Sequence, residues 1–199
     1  MGKSEFLSDR IDSLKPVFAN LKKIIDNYIE IEGEPPYWLN ETASVSMIVA
    51  AASRAGFIAM SDYRGDKAST QRGRCDLYIR TDRKKFEIEA KAVYVRPGAR
   101  KAIESALLRA GCDAVRVEKA GGYDRAAMVF AVLSLPVQQS KEWENRSEDM
   151  KSFKALCGSQ GADVCWIWHA DSSEAYNRCK DNRSGRFYPA MAILVKRLK

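Results

Sequence analysis

Apolar and polar residues alternate most sharply between Cys75 and Val93. Cys75, Leu77 and Ile79 interleave with Asp76, Tyr78 and Arg80. After a short polar turn, Phe86, Ile88, Ala90 and Ala92 interleave with Glu87, Glu89, Lys91 and Val93. A period of two marks strands with one apolar face, so this stretch predicts a β-hairpin. A two-residue turn at Asp82-Arg83 sets Asp76 opposite Glu89, with Lys91 two residues further along the same face. A slip of one residue turns side chains to the other face, so register decides whether these groups meet.

Helical spacing dominates elsewhere. From Ser4 to Ile31 the apolar positions Phe6, Ile11, Leu14, Val17, Phe18, Leu21, Ile24, Ile25 and Tyr28 predict a helical pair or a helix kinked at Pro16. Gly33-Glu34-Pro35-Pro36 interrupts the chain. Asn40 is then a suitable N-cap for a helix from Glu41 to about Ala55, ending at Gly56. Val45, Ile48, Val49 and Ala52 form its apolar stripe, and Glu41 lies one turn earlier on that stripe, facing the core or a site. Its plainer role is a first-turn glutamate answering the helix dipole. Phe57–Tyr63 reads as a strand and Arg64–Arg74 as a polar loop. Beyond the hairpin the pattern gives a helix from about Ala99 to Ala110 capped by Gly111 and a β-rich run from Ala127 to Leu135. A helix near Glu148–Cys157, a strand near Val164–His169, a polar loop and a last strand near Tyr188–Val195 complete the chain.

The 199 residues fit one domain able to bury a core without staples, divided into an N-terminal helical extension (residues 1–36), a core (37–135) and a C-terminal α/β part that completes the sheet (136–199). Lys and Arg number 33 against 26 acids, a formal charge of +7 that favours an anionic partner. There is no apolar run long enough to span a bilayer, and the opening MGKSEFLSDR is too polar for a signal peptide, so a cytoplasmic protein without membrane association is expected. Five scattered cysteines without a CxxC pair argue against a disulfide framework or a structural zinc site. His169 is the only histidine, which excludes sites built on several histidines within one chain.

Asp76, Glu89 and Lys91 on adjacent strands suggest a site for a divalent cation and a phosphodiester. The bland alternative is a solvated strand face. Other acid-x-Lys triplets, Asp82-x-Lys84 and Asp149-x-Lys151, fall in the turn and in a helical segment. Cationic side chains flank the hairpin on both sides: Arg64, Lys67, Arg72 and Arg74 before it, Arg96, Arg100 and Lys101 after it. They are the candidate phosphate contacts. Tyr37, Trp38 and Tyr63 are read first as core aromatics and second as stacking surfaces for bases. Glu87 is assigned to the surface.

The order of elements from Asn40 to Leu135, with a glutamate on the helix, an aspartate on the second strand and Glu89-x-Lys91 on the third, resembles the PD-(D/E)XK nuclease superfamily. The resemblance implies an α/β, restriction-endonuclease-like αβββαβ core with a mixed central sheet, an N-terminal helical extension and further C-terminal α/β elements. It implies Asp76 and Glu89 as ligands of Mg²⁺ or Mn²⁺, and the Ala90 backbone carbonyl as a further ligand. Lys91 would orient water or neutralise the phosphate, and Glu41 would act through water or on a second ion. Cys75 stands where the family has its nominal proline. The implied activity is metal-dependent nuclease action, with DNA favoured over RNA and a homodimer allowed. The alternative is a non-catalytic module of the same fold that binds nucleic acid or protein.

Overall fold

The computed structural model describes residues 2–63, 75–96, 99–116, 122–136, 146–181 and 184–198. Among these residues it is an α/β structure with an open, mixed, eight-stranded sheet and five α-helices. The strands are β1 (Gly2–Asp9), β2 (Ile58–Tyr63), β3 (Cys75–Arg80), β4 (Lys85–Val95), β5 (Tyr123–Pro136), β6 (Val164–Ala170), β7 (Lys180–Asp181) and β8 (Arg186–Arg197). They lie in the order β1-β6-β8-β5-β4-β3-β2, with the short β7 also on β8. The helices are α1 (Lys15–Glu32), α2 (Glu41–Arg54), α3 (Arg100–Arg116), α4 (Arg146–Gly158) and α5 (Ser173–Arg178).

The centre of the sheet is β4, β5 and β8. In β5 and β8 the residues from Ala126 to Leu135 and from Phe187 to Val195 are buried without interruption, the continuous apolar reading of strands covered on both faces. Among the described strands only β4 and β5 pair in parallel, and α3 makes the crossover between them that a parallel pair requires. Helix α1 packs on α2, and α2 lies against β2, β3 and β4.

Four sequence expectations are corrected. Residues 2–9 form a strand, so the N-terminal extension is not wholly helical. They pair antiparallel with β6, whose outer edge, bearing the buried Trp166 and Trp168, needs a backbone partner more than the helical spacing of Phe6 and Ile11 needs a helix. Phe6 is exposed but lies edge-on to the buried Phe18 at 5.6 Å. The break at Pro16 is a helix start, where its missing N–H costs nothing. Helix α3 does not stop at Gly111 but continues to Arg116. The polar loop after β6 contains α5, capped by the Ser172 side chain on the Ala175 N–H. By contrast α2 begins at Glu41 behind an Asn40 cap and is followed by Gly56 at φ 80°, as expected.

Candidate active site

The hairpin register agrees with the sequence reading. Leu77 pairs with Ile88, Tyr78 with Glu87, Ile79 with Phe86 and Arg80 with Lys85. Thr81 closes the turn: its N–H donates to the Lys84 carbonyl at 2.9 Å, and its hydroxyl accepts from the amides of Arg83 and Lys84. Backbone pairing ends at Leu77–Ile88, while β4 runs on to Val95.

Past that point the amides on this edge of β4 are met by side chains. Alternate residues of a strand point their N–H groups to the same edge. The Ile88 N–H donates to the Cys75 thiol at 3.1 Å, the Ala90 N–H to Asp76 Oδ2 at 2.8 Å and the Ala92 N–H to Glu41 Oε2 at 2.8 Å. The Cys75 thiol in turn reaches the Leu77 and Ile88 carbonyls. A sulfur wedged between the strands thus opens the ladder, and two carboxylates fill the gap. Glu41 arrives from the first turn of α2, whose stripe of Val45, Ile48 and Ala52 is buried.

Glu89 is only 6 % exposed. Burial, then the charge and hydrogen bond of Asp76, raise its pKa from the ordinary value of 4.5 to about 8, with Lys91 pulling the other way and Asp113 adding to the rise. Glu89 therefore keeps its proton at neutral pH. The Lys91 ammonium lies 4.0 Å from Asp76 Oδ2 and 3.5 Å from Asp113 Oδ2. Asp113 was missed in the sequence because it lies in the part of α3 beyond Gly111; its signal is the helical spacing that continues through Ala110 and Ala114, both buried.

Glu41, Thr42, Val45, Ser61, Asp62 and Asp76 line a cleft of about 290 Å³. Asp62 holds a left-handed backbone, φ 53°, inside a strand, a conformation Asp tolerates better than most residues. Among the described residues no three acidic, histidine or cysteine side chains form a metal-ligand group. Asp76 and Glu89 do meet, and the Ala90 carbonyl shares the strand edge of the Ala90 N–H that Asp76 binds. Two carboxylates and a carbonyl, the rest water, suit a hard cation such as Mg²⁺, which keeps much of its hydration shell.

The remaining expectations divide. Arg64, Lys67, Arg72 and Arg74 lie outside the described residues. Arg96, Arg100 and Lys101 are exposed where β4 passes to α3. Glu87 is not on the surface: it is 3 % exposed, and its Oε2 has no hydrogen-bond partner among the described residues. It occupies the face of β4 that α3 covers, paired in register with Arg125, and burial raises its pKa while Arg125 lowers it. Tyr37 is core, donating to the Tyr188 carbonyl, and Trp38 stacks on Tyr188. His169 sits on β6, three strands from β4. Cys75, Cys157, Cys165 and Cys179 are buried free thiols and Cys112 is exposed. No helix among the described residues is long and apolar enough to cross a membrane. No protein-family model, curated protein or solved structure matches the chain at a significant level. The chemistry of the site therefore rests on its own geometry.

Proposed function

We propose that this protein is a metal-dependent nuclease of the restriction-endonuclease-like type, hydrolysing phosphodiester bonds, with DNA the favoured substrate and Mg²⁺ or Mn²⁺ the cofactor. The observation that carries the reading is the meeting of Asp76 and Glu89 at the opened edge of β4, with Lys91 beside them and Glu41 delivered from α2. The succession α2-β2-β3-β4-α3-β5 has the element order of that fold, which supports the assignment.

Two carboxylates forced together in a largely buried place are costly unless a proton or a cation lies between them. Asp76, Glu89 and the Ala90 carbonyl are the groups to hold the ion. When bound, it would supply charge stabilisation for the phosphoryl oxygens and a lowered pKa for water. Lys91 is held between Asp76 and Asp113, close enough to steady the attacking water or the phosphate. Glu41, donating its charge to the cleft while anchored to the Ala92 N–H, fits a role through water. Loss of the Glu89 proton is part of loading the site.

The test is cleavage. Plasmid, linear and branched DNA, single strands and RNA are incubated with the protein and Mg²⁺ or Mn²⁺, and in parallel with chelator. Metal-dependent cleavage is expected, lowered at least about a hundredfold in Asp76→Ala and in Lys91→Ala with folding retained. Cleavage that survives both substitutions contradicts the site. Binding without cleavage under any metal returns the non-catalytic module.

A further inference from the structure

Among the described residues the cleft is lined by acidic, hydroxyl and apolar side chains, and the features suited to seating a nucleic acid lie beside it. The neighbouring sheet surface is aromatic. Tyr63, which directly follows the cleft residue Asp62, stacks on Tyr78 with centroids 4.7 Å apart and planes 25° from parallel. Tyr78 lies two residues along β3 from Asp76, about 7 Å by strand geometry. Tyr78 also lies 6.0 Å from Tyr123, with the rings tilted by 52°, and Lys85 Nζ stands 5.1 Å over the Tyr123 ring.

Burial within this column is graded. Tyr78 is 6 % exposed and fills the floor, whereas Tyr63 above it is half-buried, on the outermost strand of the sheet. Beside it, Met60 and Ile58 stand opposite Tyr78 and Arg80 in the β2–β3 register and are 41 % and 55 % exposed. Arg80 is itself exposed at the end of β3. An aromatic ring lying flat on another, flanked by apolar side chains and cations, is the composition that binds unpaired bases: the rings take the base and the cations take the backbone. The formal charge of +7 gives the polyanion its long-range attraction. A base paired within a duplex presents no face to such a ring.

We infer that Tyr63, backed by Tyr78, is a stacking platform for an unpaired nucleobase next to the Asp76 cleft, so that nucleic acid enters as a single strand or an unpaired end. This rests on the nucleic-acid reading above and narrows its substrate class. The platform can be examined in chelator, where no cleavage occurs. A single-stranded oligonucleotide carrying one 2-aminopurine, and its duplex form, are titrated with the protein and followed by fluorescence. Binding of the single strand with quenching of the 2-aminopurine is expected, together with weaker binding of the duplex. Tyr63→Leu should weaken single-strand binding roughly tenfold or more and abolish the quenching, while Tyr63→Phe retains both. Equal binding of strand and duplex, or an unquenched bound strand, overturns the inference, as does unchanged binding and quenching in Tyr63→Leu. Quenching in the unsubstituted protein decides the matter even if Tyr63→Leu does not fold. A protein that stacks a base but never cuts keeps the platform and loses the nuclease; one that cuts without quenching keeps the nuclease and loses the platform.

Discussion

Glu89 shows how much of this site is set by single side chains. It is nearly out of water, next to a second carboxylate, and holds its proton up to about pH 8. In the unfolded chain it releases that proton near 4.5, so between these values the folded state binds more protons than the unfolded one. Stability therefore falls as pH rises through this window. Thermal melts of the metal-free protein should show a Tm declining from about pH 5 to about pH 8, and Glu89→Gln should flatten that decline. A pH profile unchanged in the variant would remove Glu89 from this role. The hairpin acids, Lys91 and Glu41 were legible from alternation and helical phase because both are local properties of the chain. Glu87 was not, because its burial under α3 depends on a helix far along the sequence, and Asp113 was hidden by reading Gly111 as a stop where a buried helix tolerates it.

At the scale of elements, the decisive feature is the opening between β3 and β4. The turn and register followed from the sequence, since Asp82-Arg83 allows one tight connection and the apolar face admits one parity. Where the pairing ends did not follow: it depends on the Cys75 sulfur entering the ladder to receive the Ile88 N–H. Removing that sulfur leaves a buried amide without its acceptor. Cys75→Ala should cost about 1–3 kcal/mol in denaturant unfolding, and Cys75→Ser, which restores an acceptor, clearly less. Equal losses in both would mean that packing rather than hydrogen bonding sets the contribution of Cys75. Strand β1 failed in the sequence for a related reason. Phe6 and Ile11 fit a helix as well as a strand, and only the vacant edge of β6, more than 150 residues later, settles the choice.

On the scale of the whole molecule, the sheet brings together groups that no single segment contains. Asp76 comes from β3, Glu89 and Lys91 from β4, Glu41 from α2 and Asp113 from α3, and the parallel β4-α3-β5 crossover fixes the last of these over the strand face. The α/β class and the order of the central elements were readable because each carries its own period. Residues 136–199 complete the sheet, as expected, but the order that sets β8 between β5 and β6 was not readable from their apolar runs. The central claim is that Asp76 and Glu89 hold a divalent ion in place of the Glu89 proton. Calorimetric titration with Mg²⁺ at pH 7, repeated in buffers of different ionisation heat, measures that exchange directly. Saturable binding should release about one proton per ion in the unsubstituted protein and none in Glu89→Gln, whose affinity should also fall. No binding at millimolar Mg²⁺, or binding whose proton release is the same in Glu89→Gln, would contradict the account.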